Sequence, residues 1–232
     1  MKKEFYSKTE VINYVWQYSR HHGELLSYCE IAREESGNGH AALIFLFNLT
    51  ENIFKDRLEN YDASLHDIIS TLKDEGIITH KEHDFLNEHD DSIRKLRNLL
   101  AHANLSKYNL TFIEDDKEIY YPLTENETCL KLFDIISDIL FNLMLRIVSV
   151  NFEKPLEISL DEKIDNVEIK IKEFTPEELM GFKGIDVSTV SDWHTLSETD
   201  RYRFAENASD VKGVSAIAEG LMDSQHLTRQ LF

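Results

Sequence analysis

Arg97 and His102 are the residues of this 232-residue chain whose types and spacing could do the most chemistry. They sit in Ser92-Ile93-Arg94-Lys95-Leu96-Arg97-Asn98-Leu99-Leu100-Ala101-His102-Ala103-Asn104, which reads as the last turns of an amphipathic helix. At about 100° per residue with Arg97 at zero, Ile93, Leu96, Leu99, Leu100 and Ala103 fall between roughly 200° and 320°. Arg97, Arg94, Asn98, His102 and Lys95 take the opposite sector, with the small Ala101 among them. A guanidinium, an amide and an imidazole thus project from one surface. Arg offers a planar fork of donors that holds phosphate oxygens in two bonds. His takes and gives protons near neutrality. No metal-binding carboxylate cluster accompanies the pair, so the chemistry suggested is metal-free attack on a phosphodiester, with no cofactor.

The elements that must position these groups are mostly helical. Ser7-Lys8-Thr9-Glu10 is a capping box, and Val11, Val15, Tyr18, His22, Leu25, Cys29 and Ala32 then follow a seven-residue repeat. The pattern predicts one helix to about Glu35, bent at Gly23, before Ser36-Gly37-Asn38-Gly39 breaks the chain. A central helix is expected over about 40–60, apolar nearly all round at first, with Glu51 and Asn52 deep in it. A shorter one is expected over 64–74. The capping box Thr79-His80-Lys81-Glu82 opens a helix expected to run unbroken from about His80 to Ala103. Leu110–Ile113 and Glu118–Tyr121 read as a hairpin, and Thr124-Glu125-Asn126-Glu127 as the cap of a long helix to about Val150. From residue 153 the character shifts. Leu156, Ile158 and Leu160, and then Val167, Ile169 and Ile171, alternate with polar residues as a second hairpin would, turning at Asp161–Asn166. Thr175-Pro176-Glu177-Glu178 starts a short helix. The sequence therefore predicts a mainly α fold: a helical domain over 1–152 with a small β hairpin, and a mixed C-terminal extension over 153–232 of unassigned role.

Composition narrows the functional classes. Apolar residues make up 42% and charged residues 29% of the chain, which fits a soluble globular protein. Cys29 and Cys129 cannot supply a disulfide framework, and with no visible signal peptide the expected location is the cytoplasm. No membrane span is expected, because Lys131, Asp134, Asp138, Asn142 and Arg146 stripe the longest apolar helix. The net charge of −18 divides as −5 over 1–108, −5 over 109–152 and −8 over 153–232. No segment is basic, so any affinity for nucleic acid must come from a local cluster such as Arg94, Lys95 and Arg97.

Arg97-Asn98-Leu99-Leu100-Ala101-His102 resembles the signature of HEPN domains, helical bundles in which an Arg, usually followed by a polar residue, stands four to six residues before a His. The resemblance extends over roughly 1–152, through the central helix with Glu51-Asn52, the Gly76-Ile77-Ile78-Thr79 junction and the closing helix. It implies that two such motifs, one from each subunit of a homodimer, face each other and cleave RNA without metal. By that likeness Arg97 neutralises the scissile phosphate, His102 transfers protons and Asn98 orients the histidine or a phosphate oxygen. Arg94 and Lys95 are expected to steer the substrate. The family setting implies a toxin or antiviral defence effector acting on RNA, and the strongly acidic surface adds the expectation that access is restricted to a structured target such as a tRNA loop or awaits a regulatory protein partner. Toxins of this family that are silenced by nucleotide attachment often carry a Tyr two residues after the His, where this chain has Asn104.

Other readings of the same residues stay open. Arg33 and His40 have the right spacing, but Ser36-Gly37-Asn38-Gly39 separates them. Arg97 could pair with Asp90 or Asp91 while His102 caps the helix end, as in a non-catalytic dimerisation or interaction module. His80, His83 and His89 with Asp84 and Asp90 fall on differing faces of a polar helix and are expected to be a solvated face, not a metal site.

Overall fold

The computed structural model describes residues 5–34, 37–88, 91–114 and 117–208. It is mainly helical, with a small three-stranded antiparallel sheet ordered β2-β1-β3. The chain divides into two compact units, Met1–Leu105 with Leu110–Ile171, and Ser106–Asn109 with the segment from Lys172 onward.

In the first unit the expected single N-terminal helix is two, α1 (Lys8–Tyr18) and α2 (Arg20–Glu34). The break is at Ser19, whose extended backbone ends α1 while its hydroxyl accepts from the His22 N–H. Two polar ends therefore share one serine, and no Gly or Pro marks the turn. The helices run antiparallel, with Lys8 of α1 reaching Glu30 near the end of α2 at 3.0 Å. Gly23 does not bend a helix. It lets α2 cross α1 closely, since a Cβ there would stand 2.7 Å from the Trp16 Cα.

The core lies between α3 (Gly39–Leu58) and α7 (Asn126–Ser149). Leu43, Leu46, Phe54, Leu132, Phe133, Leu140 and Phe141 are fully buried there. The two helices run parallel, because Gly39 packs on Asn126 and Thr50 meets Met144 eleven and eighteen residues further on. The predicted threonine cap of α7 does not form: Glu125 takes the N-cap position without a side-chain bond, and Asn126 Oδ1 instead accepts from the His40 N–H. Arg33 and His40 are structural, Arg33 holding Asp134 at 2.9 Å and His40 meeting the Leu123 carbonyl at 2.8 Å. Gly39 sits so tightly that a Cβ would fall 2.0 Å from the Asn126 carbonyl oxygen. Gly39→Ala is therefore expected to cost about 1–3 kcal/mol through overpacking, read as a lower urea midpoint with unchanged m-value.

The expected helix from His80 to Ala103 is also interrupted. After α4 (Leu65–Asp74), α5 (His80–His83) begins with the predicted Thr79 capping box, then widens into a π-helical turn over Asp84–Glu88. A new helix, α6 (Ile93–His102), starts at Ser92, whose hydroxyl accepts from the Lys95 N–H. The predicted first hairpin is present as β1 (Tyr108–Glu114) and β2 (Lys117–Pro122). The second is not. Asp161–Asp165 form α8, residues 156–160 make no strand, and only β3 (Lys170–Glu173) is extended, beside β1. Its alternating apolar residues are anchored by bonds to α7: the Leu156 N–H donates to Ser149 Oγ at 3.1 Å, and Arg146 donates to the Ile158 carbonyl at 3.4 Å. Residues 153–171 thus group with the helices.

The second unit contains α9 (Pro176–Phe182), opened by the Thr175 capping box, and α10 (Glu198–Asn207). Met180, Trp193 and Ala205 form its small core. Glu177 ties it together by accepting from the Trp193 indole at 3.0 Å and from Arg201 at 2.7 Å.

Among the described residues, no helix is long and apolar enough to cross a membrane. Cys29 and Cys129 are both free and buried, and burial pushes both thiols up to about 12, which leaves them unreactive packing residues.

Candidate functional site around Arg97 and His102

Ile93, Leu96 and Leu99 are buried along α6, so the opposite side of that helix faces outward, as the sequence pattern requires. The helix lies antiparallel against α3. Arg97 meets Glu51, while Ala101 and His102, one turn further, reach the level of Ile44, Phe47 and Asn48. These six residues other than Glu51 line a cleft of about 140 Å³. Ala101 keeps its wall low, and Ile44 is an exposed apolar residue at its rim.

The Arg97 guanidinium is held on two sides. Nη2 donates to Glu51 Oε2 at 2.8 Å, and Nη1 donates to Asn98 Oδ1 at 3.1 Å. Glu51 in turn pairs through Oε1 with Lys55 at 2.9 Å. Two of five guanidinium donors are engaged and the fork is aimed. Among the described residues its carboxylate partner is Glu51; of the two aspartates expected for it, Asp90 lies outside the described residues and Asp91 accepts from the Ile171 N–H at 2.6 Å. His102 is exposed at the last position of α6, on the same cleft, and its side chain makes no hydrogen bond among the described residues.

Other residues singled out by sequence fall differently. Asn98 contacts Arg97, with no bond to His102 among the described residues. Arg94 is committed elsewhere, its Nε donating to Asn87 Oδ1 and its Nη2 to the Asn87 carbonyl, which ties α6 to the π turn. Lys95 is exposed. Asn52 is exposed too, on the far side of α3 from the core. Asn48, Lys55 and the apolar rim were not legible from α6 alone. The available signal was the stripe Ile44, Asn48, Glu51, Lys55, whose 4-3-4 spacing puts polar residues on one face of an otherwise apolar helix.

The half-buried Glu51 links two cations, so Glu51→Ala is expected to cost about 1.5–3 kcal/mol. Denaturant unfolding at neutral pH measures it, and Glu51→Gln, which keeps an acceptor, should fall between the two.

Comparison with family models, with curated proteins and with solved structures finds no match to this chain.

Proposed function

We propose that this chain is a metal-independent endoribonuclease of the HEPN type, acting as a toxin or antiviral defence effector through a site composed from two copies. The observation that carries the reading is that Arg97 and His102 line one cleft, the guanidinium aimed by Glu51 and the imidazole open to solvent. In the reaction the ribose 2′-oxygen attacks phosphorus as it loses its proton, and the bond to the 5′-oxygen breaks as that oxygen gains one. The products are a 2′,3′-cyclic phosphate and a 5′-hydroxyl. Arg97 stabilises charge building on the phosphoryl oxygens, and His102 moves one of the protons.

Two copies are part of the proposal for a geometric reason. On one α-helix Arg97 and His102 differ by about 140° in azimuth and about 7.5 Å in height, so one motif does not focus both groups on one phosphate. A facing motif supplies the missing group, and the exposed Ile44 at the rim gives the two copies an apolar contact.

A specific observation favours a second reading. The Arg97 guanidinium already has a carboxylate partner in Glu51, as it would in a non-catalytic dimerisation or interaction module whose strongly acidic surface binds another protein. Incubating total RNA with the chain in excess chelator, in wild-type, Arg97→Ala and His102→Ala forms, separates them. The nuclease reading expects cleavage by the wild type only. Cleavage by both variants, or none without added metal, overturns the mechanism, and cleavage by no form favours the module.

A further inference from the structure

We propose that His80, His83 and Asp84 form a zinc-type divalent cation site at the joint between α5 and the π turn. Asp84 Oδ1 lies 3.4 Å from His80 Nδ1 and 3.3 Å from His83 Nδ1, and the ligand atoms of the three residues lie within 4.8 Å of one another. Zn²⁺ binds imidazole nitrogen and carboxylate oxygen at about 2.0–2.2 Å. Adjacent ligands of a tetrahedral ion at that bond length are separated by about 3.3–3.6 Å, so two of the three edges already have the required length. The third closes by rotation of His80, whose side chain is 75% exposed.

The spacing 80, 83, 84 is what one helical turn needs to bring three side chains together, since i+3 and i+4 neighbours share a face. The turn is rigidly held. Glu82, between the histidines, closes the capping box with the Thr79 N–H at 2.8 Å and pairs through both oxygens with Arg146. His83 is consequently buried, 5% exposed, and cannot swing away.

The hydrogen-bond arithmetic also points to a cation. His83 has a carboxylate oxygen near each ring nitrogen, Asp84 at 3.3 Å and Glu88 at 3.8 Å from Nε2. Both distances exceed the usual N–H···O range of about 2.7–3.2 Å, so two carboxylates face one imidazole with no close hydrogen bond to either. A cation between His83 Nδ1 and Asp84 removes that conflict and leaves Nε2–H directed at Glu88, the carboxylate–histidine–metal arrangement that fixes the tautomer of a ligating histidine.

His80 and Asp84 also line a cleft of about 730 Å³ whose wall carries Asp161 and Asp165. The cleft gives water access to the fourth coordination position; Lys81, also in its wall, is held by Asp165 at 2.6 Å, which leaves Asp161 as the further carboxylate that favours a cation there. Asn87, in the same π turn, is gripped by Arg94 of α6. An occupied site therefore stiffens the joint from which the helix bearing Arg97 and His102 departs.

The test is calorimetric titration of the chelator-stripped, tag-free full chain with Zn²⁺, with thermal unfolding in parallel. The expected result is saturable binding of one ion per chain and a higher unfolding midpoint. His80→Ala and Asp84→Asn, both at solvent-accessible positions, should each weaken binding by at least about tenfold while far-UV circular dichroism is unchanged. Absence of saturable binding, or binding that neither substitution alters, overturns the proposal.

Discussion

His102→Ala is expected to lower chelator-resistant RNA cleavage by about 10²–10⁴-fold, the usual contribution of a positioned general acid or base. The same substitution should leave the unfolding midpoint unmoved, because the His102 side chain is exposed and bonds to no described residue. That combination is what makes it the most informative change in the site. Arg97→Ala should cost about 10²–10³-fold, as loss of one preorganised donor to a developing oxyanion does. It is a less clean probe, since it also strips Glu51 of one of two cationic partners and lowers stability. Arg97→Lys separates the effects: a lysine keeps a charge beside Glu51 but loses the planar fork. Near-normal stability with cleavage still strongly reduced is the expected outcome. If the site is shared between two copies, specific activity should fall on dilution, and mixing inactive Arg97→Ala and His102→Ala chains should restore part of it. Activity that survives His102→Ala, or is linear in protein concentration down to the lowest detectable level, would count against the composite site.

The parts of the fold written in helical periodicity were legible in the sequence, and those written in tertiary contacts were not. Ile93, Leu96 and Leu99 announce the buried side of α6, so the outward placement of Arg97 and His102 follows from the pattern alone. Ser7, Thr79 and Thr175 announce their helix starts, because a capping box is a local bond between residues three apart. The break at Ser19 carries only half of such a mark, a hydroxyl that accepts from the His22 N–H without a reciprocal glutamate, and Gly23 then lets α2 return across Trp16. Likewise Ser92 begins a helix inside a stretch that is periodic enough to be read as continuous, and Arg94 supports the interruption by gripping Asn87. The alternation at 156–160 was real but misleading. Ile158 and Leu160 are buried, and the bonds to Ser149 and Arg146 replace a strand partner.

The same limit governed the site. Glu51 stood out as a carboxylate in an apolar helix, but its role depends on Arg97, 46 residues away, reaching it across the packed faces of α3 and α6. His80, His83 and Asp84 are obscured instead by their neighbours: together with His89 and Asp90, which lie outside the described residues, the set of five spreads over differing faces. Taken alone, the three stand three and four apart on one capped turn and so share a face.

The largest expected loss of stability is at Glu82. Its side chain is 1% exposed and makes a bidentate pair with Arg146, which is 15% exposed, while also accepting from the Thr79 N–H. Glu82→Ala leaves a poorly hydrated guanidinium without its counter-charge, and such losses cost about 3–5 kcal/mol. Against a total of about 5–15 kcal/mol for a typical domain, that should bring the first unit close to unfolding at 37 °C. Arg146→Met is expected to cost a similar amount, since it strands a fully buried carboxylate. The pair Glu82→Leu with Arg146→Met should cost less than either single change, because desolvating two charges offsets most of what their attraction returns. Denaturant unfolding of the wild type, Glu82→Leu, Arg146→Met and the double variant closes a double-mutant cycle, and a double variant whose loss equals the sum of those two singles would show that the side chains contribute independently. Because Glu82 also fixes the turn that carries His80 and His83, Glu82→Ala should weaken Zn²⁺ binding even in the fraction of molecules that remains folded.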